Sequence, residues 1–209
     1  GLLLGLYNSY EGELSINGVD SREIDMYHYR ENIGFVPQEP FIFNKSIKEN
    51  ICMGRHIEDE QVVKASKAAQ IHEDICKMPM GYETIISESG HNISGGQKQR
   101  IIIARAIIRN PDLILLDEAT SDVDNQTEKK ISQYFKTSKT TQIVVAHRLS
   151  TVINSNKIIV LQNGSILAIG THTKLLRTCD YYRSLYAKED SINSDVDQEF
   201  IQNWSEQIV

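Results

Sequence analysis

The stretch that decides the fold covers residues 91–120 and has the sequence HNISGGQKQRIIIARAIIRNPDLILLDEAT. It joins two glycines behind a serine, a run of branched apolar residues with arginines between them, and a second apolar run that closes on two carboxylates. Ser94 is a favourable N-cap residue, and Gly95 and Gly96 leave the first helical turn without side chains. Such a helix start presents free N–H groups and the positive end of the helix dipole, so it can bind an anion.

The apolar residues that follow predict a buried helix and then a buried strand. From Gln97 to Arg109, isoleucines and alanines alternate with arginines, which indicates a mostly buried helix with basic side chains reaching outward. Pro111 marks the end of this helix. The short run from Leu113 to Asp117 has no polar interruption, as expected for a strand of a parallel sheet that is covered on both faces.

Asp117 and Glu118 close this strand at its carboxyl end, which is where open α/β sheets bind ligands. We expect Asp117 to hold Mg²⁺, directly or through a water, and Glu118 to orient or deprotonate a water. Taken alone, Ser-Gly-Gly is usually a helix cap, and an acidic pair after a strand is often only a solvated strand end. The two features together, one helix apart and in this order, indicate a functional site.

At this point the sequence resembles a known family. The segment Ile93–Gln97 resembles the signature motif of ATP-binding cassette (ABC) ATPases, and Leu113–Glu118 resembles their Walker B strand with its catalytic glutamate. The resemblance extends from about Leu2 to Tyr186 and is to the nucleotide-binding domains of type I exporters, which move peptides, lipids or drugs outward. It implies an α/β fold: a RecA-like P-loop NTPase core, with a mostly parallel sheet and antiparallel hairpins, and an inserted helical subdomain.

The resemblance also implies a set of site residues. Gln38, after the predicted strand Ile33–Val36, resembles the Q-loop glutamine, whose amide can offer its oxygen to Mg²⁺ and its N–H to the attacking water. His147, after a β-branched strand, resembles the switch histidine that contacts the γ-phosphate. Two such domains would meet head to tail, and Ser94 to Gln97 of one would bind the γ-phosphate of the ATP held by the other.

The segment after the Walker B strand, Ser121 to Asp124, resembles the D-loop. Asp122 stands where the family usually has a small residue, which adds a charge near the expected dimer interface. Asp124 is expected to contact the nucleotide site and also to cap the next helix, which is predicted to run from Asn125 to Lys136.

Two further segments are candidates for contact with a transmembrane domain. Phe41, Ile42 and Phe43 form an apolar cluster in a predicted loop, and such exposed clusters usually mark contact surfaces. Glu88 matches the acidic residue of the exporter X-loop, which touches intracellular loops. The alternatives stay open here: the aromatic side chains could pack beneath the helical subdomain, and Glu88 could be an ordinary surface residue in a turn.

The predicted organisation follows from the order of these motifs. Residues 1–38 and 111–187 form the nucleotide-binding core, residues 39–110 form the helical subdomain, and residues 188–209 form an acidic tail. No Gly-x-x-x-x-Gly-Lys-Ser/Thr occurs in the sequence, so we expect a fragment of a larger ATPase that is truncated after its phosphate loop and is inactive by itself.

Composition narrows the remaining alternatives. The 209 residues carry a net charge of −6 and show no basic stripe, which does not favour nucleic acid as a partner. Three scattered cysteines fit a reducing cytosol. The resemblance to exporter domains implies a place on the cytoplasmic face of the plasma membrane, as part of a transporter. Two other hypotheses remain: a catalytically inactive remnant, or a soluble ABC-type ATPase that acts on nucleic acid. The segment between Gln38 and Ser94 holds neither sustained heptads nor cysteine pairs, which argues against the second.

Overall fold

The computed structural model describes residues 1–7, 9–87, 92–146 and 148–188. The chain separates into two compact units, one covering residues 1–145 and the other beginning at residue 146. The sites predicted at Glu88 and His147, and the tail from residue 189 onward, lie outside the described residues. The predicted division into core and helical subdomain stays a prediction.

The first unit contains a short antiparallel hairpin of β1 (Ser15–Ile16) and β2 (Val19–Asp20). Asn17 and Gly18 in its turn have φ values of 52° and 83°. Positive φ at both central residues suits the right-handed twist of the flanking strands, and Asn-Gly tolerates it. The hairpin predicted from this dipeptide is therefore confirmed.

The main sheet of the first unit has three parallel strands in the order β3–β4–β5. Its middle strand is buried along its apolar residues, as its uninterrupted run predicts. The strands are β3 (Ile33–Val36), β4 (Leu113–Asp117) and β5 (Thr141–Val145).

The β-branched residues of β5 predict a strand of the kind that a parallel sheet buries, and for the described residues this prediction is wrong. Ile143 and Val145 are exposed although both are β-branched. The register places Ile143 beside Leu115 and Phe35 on one face of the sheet, and Phe35 is exposed as well. In the described residues β5, like β3, is an edge strand of this sheet, so it has a strand neighbour on only one side. The β-branched residues predicted that this segment forms a strand, whereas the burial of its side chains depends on which other elements pack against it.

Six α-helices are described in the first unit. The predicted capped turn before the second is confirmed, because Ser46 Oγ accepts a hydrogen bond from the Glu49 N–H while the Glu49 carboxylate accepts one from the Ser46 N–H. The helices are α1 (Met26–Glu31), α2 (Ile47–Cys52), α3 (Asp59–Ala68), α4 (His72–Lys77), α5 (Gly95–Ile107) and α6 (Asn125–Thr137).

The sequence predicts helix from Glu58 through Lys77, but the structure breaks it between α3 and α4. Gln70 has a φ of 57°, and the Ile71 N–H donates to the Ser66 carbonyl at 2.9 Å. This is the hydrogen bond of a Schellman cap, which usually has glycine at the left-handed position. Ile71, the residue after Gln70, is fully buried. Burial of the Ile71 side chain therefore goes together with the left-handed backbone of Gln70.

Helix α5 lies at the centre of the first core. It packs against β3, α2 and α3, and its isoleucines at positions 101, 102 and 103 are almost completely buried. The predicted buried helix is thus confirmed, although it begins two residues before Gln97 and ends two before Arg109.

The second unit has its own small core, formed around Leu149, Ile158, Val160, Leu175 and Tyr182. Its predicted hairpin is confirmed: β6 (Ile158–Gln162) and β7 (Ser165–Gly170) pair antiparallel across a turn at residues 163–164. Helix α7 (His172–Thr178) follows, and residues 180–188 are also helical. Across the described parts of both units, no helix is long and apolar enough to cross a membrane.

A matched pair of isoleucines tests the central position of α5. Ile103 is 1% exposed and Ile85 is 54% exposed. We expect Ile103→Ala to lower the free energy of unfolding by about 2–5 kcal/mol, because it removes buried methyl groups and leaves a cavity. Ile85→Ala is expected to change it by about 0.5 kcal/mol. Urea unfolding followed by circular dichroism measures both, and equal losses would contradict the burial described here.

Candidate functional site

The carboxyl edge of the parallel sheet brings together three of the predicted site residues. Gln38 follows β3, and Asp117 and Glu118 stand at the end of the neighbouring β4. The Gln38 Nε2 group donates a hydrogen bond to Glu118 Oε1 at 3.2 Å. Residues 80 positions apart in the chain therefore meet at the sheet edge where α/β folds bind ligands.

Glu118 has a left-handed backbone, with φ at 49°. A non-glycine residue in this region is strained, and such strain often accompanies function. Alternation along a strand would point the side chains of Asp117 and Glu118 to opposite faces, but this rule does not apply here, because β4 ends at Asp117. Instead, the chain leaves the strand at Glu118, whose N–H donates to the Val145 carbonyl at 3.0 Å.

The predicted anion site at the start of α5 has the geometry of a capping box. Ser94 Oγ accepts a hydrogen bond from the Gln97 N–H at 3.2 Å, and Gln97 Oε1 accepts one from the Ser94 N–H at 3.0 Å. The Ser94 hydroxyl accepts in this arrangement and keeps its own proton to donate. The N–H groups of Gly95 and Gly96 have no acceptor inside the helix, because they belong to its first turn. Ser94 and Gly95 are exposed, so this helix start faces solvent.

The two glycines are required by the close approach of the loop after β4. A Cβ atom on Gly96 would lie 2.7 Å from the backbone oxygen of Asp122, which is closer than real contacts allow. A Cβ atom on Gly95 would lie 3.2 Å from the Asp122 carboxylate. The unusual Asp122 is therefore packed directly against the start of α5, and it adds a negative charge beside the predicted anion site.

Asp124 caps α6 as predicted. Its Oδ1 atom accepts hydrogen bonds from the N–H groups of Gln126 and Thr127, at 3.1 Å and 3.0 Å. The bond from the Thr127 N–H is the main reason that the pKa of the Asp124 carboxyl lies below its usual range. This carboxylate is thus engaged by the helix, and the contact with nucleotide expected for Asp124 stays a prediction.

Of the apolar loop cluster, Phe41 and Phe43 face outward whereas Ile42 packs against the core. The two aromatic rings contact each other edge to face, with centroids 4.9 Å apart. The exposed apolar surface of this loop is therefore aromatic, and Phe41 is its most exposed side chain at 64%.

Arg105 of α5 holds this loop and was not identified from sequence. Its guanidinium donates to the carbonyls of Phe41 and Asn50, at 2.9 Å and 2.7 Å, and lies over the Phe43 ring at 5.5 Å. Burial lowers the pKa of Arg105 to about 10. The available signal was an arginine within an isoleucine-rich helix, where a buried cation needs several acceptors.

Gln99, also on α5, was missed for a related reason. It is completely buried and contacts the backbone of Glu118 and Asp122. The spacing of 99, 103 and 106 puts it on the buried face of the helix, where a polar side chain must find hydrogen-bond partners.

A cavity of about 380 Å³ lies elsewhere, between the ends of α5 and α6 and the segments that lead into β4 and β5. It is lined by Asn110, Asp112, Tyr134 and Lys139 among others. These residues are at the amino ends of the strands, opposite Glu118, so the cavity is separate from the candidate site.

Comparison with known proteins supports the resemblance seen in the motifs. The model of the ABC transporter family matches residues 1–121, which is more than half of the chain. The chain is 45% identical over 188 residues to heavy metal tolerance factor 1 of Caenorhabditis elegans, covering 88% of this chain and 24% of that protein. It is 44% identical over 203 residues to multidrug resistance protein 1 of Entamoeba histolytica, covering 94% and 16%.

A solved structure agrees in both fold and sequence. It is described as a bacterial Atm1-family ABC exporter with ATP bound, and it superposes with a TM-score of 0.86 at 38% identity. The match covers 90% of this chain and 33% of that one. The chain thus spans a third or less of the length of these relatives. The predicted RecA-like α/β fold is confirmed by this likeness, and the chain belongs to the ABC transporter family.

Proposed function

We propose that these residues form most of an ATP-binding and ATP-hydrolysing domain that powers export by an ABC transporter. The observation that carries the proposal is the contact between Gln38 and Glu118 beside Asp117, at the carboxyl edge of the parallel sheet. An amide and two carboxylates at this position provide the groups needed to position a water and a metal-bound phosphate. These 209 residues contain no Gly-x-x-x-x-Gly-Lys-Ser/Thr phosphate loop, so the proposal concerns the transporter that carries them.

The donor set at the sheet edge fits Mg²⁺. Asp117 offers a carboxylate, and Gln38, which donates through Nε2, has its amide oxygen left for a metal. No group of three or more His, Cys, Asp or Glu side chains capable of holding a metal occurs among the described residues. Mg²⁺ usually takes one or two carboxylates and completes its shell with water and substrate phosphates, so Asp117 with the Gln38 amide oxygen could serve as its protein ligands. When bound, the ion would neutralise charge on the phosphates of ATP.

Glu118 is proposed to polarise the attacking water. Its carboxylate accepts a hydrogen bond from the Gln38 amide. The second N–H of that amide group could donate to the same water. In this arrangement the chain supplies positioning and electrostatic stabilisation, which account for most of the catalysis of phosphoryl transfer. His147 is proposed to contact the γ-phosphate on the basis of its motif alone.

The second half of each ATP site is proposed to come from a second domain of the same kind. The exposed start of α5, with the Ser94 hydroxyl and the Gly95 and Gly96 amides, would bind the γ-phosphate of ATP held by that partner. Two domains packed head to tail then form two such sites. The proteins similar to this chain include multidrug resistance protein 1 of Entamoeba histolytica and an ABC exporter, which supports this assignment.

The aromatic loop is proposed to contact the transmembrane domain of the transporter, on the cytoplasmic face of the membrane. Phe41 and Phe43 are exposed, and Arg105 holds the backbone beneath them in a fixed shape. Glu88 is proposed as a further contact on its motif alone. Arg105 connects this loop to α5, the helix that Ser94 caps. A displacement of the loop could therefore be transmitted along α5 to its first turn.

Replacement of Glu118 tests the catalytic proposal. In the transporter that carries these residues, Glu118→Gln keeps the shape of the side chain but removes the charge that polarises the water. Single-turnover hydrolysis is expected to slow by about 10²–10⁴-fold, as for other positioned bases. ATP binding should persist, because the groups that bind phosphate and metal are unchanged. Size-exclusion chromatography should then show an ATP-loaded dimer.

The matched control is Glu60→Gln, which removes an exposed carboxylate from the first turn of α3. It should hydrolyse ATP at the parent rate. Hydrolysis by Glu118→Gln at near the parent rate would remove this residue from the catalytic role. Loss of ATP binding as well would assign it a structural or metal-holding role.

Replacement of Phe41 tests the proposed contact with the membrane domain. Phe41→Ala is preferable to Phe43→Ala, because the Phe43 ring also packs against Arg105. We expect ATPase activity stimulated by transported substrate to fall severalfold while basal activity stays within about twofold. Tyr27→Ala, which removes a side chain that is 72% exposed, serves as the control and should change neither activity. Equal loss of both activities in Phe41→Ala would show that the ring stabilises the domain instead.

A further inference from the structure

Gln99 is a buried amide at the junction between α5 and the loop after β4. Its side chain is 0% exposed. The Nε2 group donates to the Glu118 carbonyl at 3.1 Å and to Ser121 Oγ at 3.3 Å, and Oε1 accepts from the Asp122 N–H at 2.9 Å. Both ends of one amide thus bind backbone groups of the segment that begins at Glu118.

These contacts fix the orientation of the amide. A rotation of the side chain by 180° would place Nε2 against the Asp122 N–H and Oε1 against the Glu118 carbonyl. Donor would then face donor at the Asp122 N–H, and acceptor would face acceptor at the Glu118 carbonyl. Buried polar groups left without a hydrogen bond in this way are costly. Only one orientation of the Gln99 amide satisfies all of its hydrogen bonds. Gln99 therefore connects α5 to the segment after β4 in a defined geometry and does more than fill space.

Gln99 binds the carbonyl of Glu118, the residue whose backbone is strained. A left-handed conformation is strained for a non-glycine residue, and it persists only where the surroundings impose it. At Glu118, the N–H is bound by the Val145 carbonyl, and the C=O accepts from Gln99 and from the Ser121 N–H. Gln99 is the side chain among these partners that reaches Glu118 from another element.

We propose that Gln99 is a positioning residue that sets the backbone of Glu118, and through it the place of the Glu118 carboxylate relative to Gln38. The same amide fixes the Asp122 backbone, which packs against Gly96 at the start of α5. The helix that carries the anion-binding start therefore also determines where the water-polarising carboxylate stands. This inference rests on the proposed function, since it concerns the same reaction.

Two replacements separate the donor and acceptor roles of this amide. Gln99→Glu keeps the length of the side chain and the acceptor for the Asp122 N–H, but an ionised carboxylate cannot donate to the Glu118 carbonyl. A buried carboxyl has a raised pKa, so it regains a proton to donate as the pH falls. Gln99→Met keeps the length of the side chain but removes both kinds of hydrogen bond at every pH.

The first measurement is the steady-state ATPase activity of the transporter between pH 6 and pH 8.5. At high pH we expect both variants to lower kcat by about 10- to 100-fold, as a misplaced catalytic group does, with KM for ATP changed by less than about threefold. Relative to the parent at each pH, Gln99→Glu should regain activity as the pH falls, while Gln99→Met should not. Gln61→Glu, on the exposed part of α3, is the matched control and should follow the parent.

The second measurement uses the transporter that carries these residues and does not depend on ATP hydrolysis. Hydrogen exchange of the segment 119–124 should quicken in Gln99→Met, because the Asp122 N–H loses its acceptor, and should stay near the parent rate in Gln99→Glu. A parent transporter without ATPase activity would overturn the proposed function but not this pattern of exchange. Where Gln99→Met does not fold, Gln99→Glu decides the outcome alone.

The positioning role is overturned by either of two results. One is a kcat within about twofold of the parent for Gln99→Glu at high pH. The other is a loss in Gln99→Glu that is the same at every pH, because a side chain with only a packing role gains nothing from protonation.

Discussion

The structure of the first unit depends on the burial of α5, a helix whose isoleucine face must leave water while its polar residues are fully hydrogen-bonded. Burial of the isoleucines at 101–103 holds the helix against β3 and the helices α2 and α3. This packing determines which side chains of α5 face the core, Gln99 among them. The polar residues that lie on the buried side are consequently the ones that connect the helix to its surroundings.

Gln99 and Arg105 show how this constraint is met. Each is a polar group that would be costly to bury alone, and each binds backbone groups of another segment. Gln99 binds the segment of Glu118 and Asp122, and Arg105 binds the loop of Phe41 and the end of α2. One helix thus contacts the backbone of Glu118 and the aromatic loop, and its first turn is the proposed anion-binding site.

Close packing also explains the glycines of the motif. Small residues at a helix start leave its free N–H groups accessible, which is one reason for the glycines. A second reason is that the Asp122 carbonyl lies so near that any side chain on Gly96 is excluded. The loop approaches the helix because Gln99 and the Asp122 N–H are hydrogen-bonded. The sequence motif Ser-Gly-Gly-Gln and the residue two positions after it are therefore parts of one packing arrangement.

The sequence by itself determined the elements that depend on local chemistry. The Asn-Gly hairpin, the capping boxes at Ser46 and Ser94, the buried strand β4 and the cap at Asp124 all follow from nearby residues. The family and the positions of Gln38, Asp117 and Glu118 at one sheet edge follow from motif order. Only the tertiary structure decided the exposure of β5, the break at Gln70, the strained backbone of Glu118 and the roles of Gln99 and Arg105. These depend on which atoms distant segments bring together, and residue type and spacing do not specify such contacts.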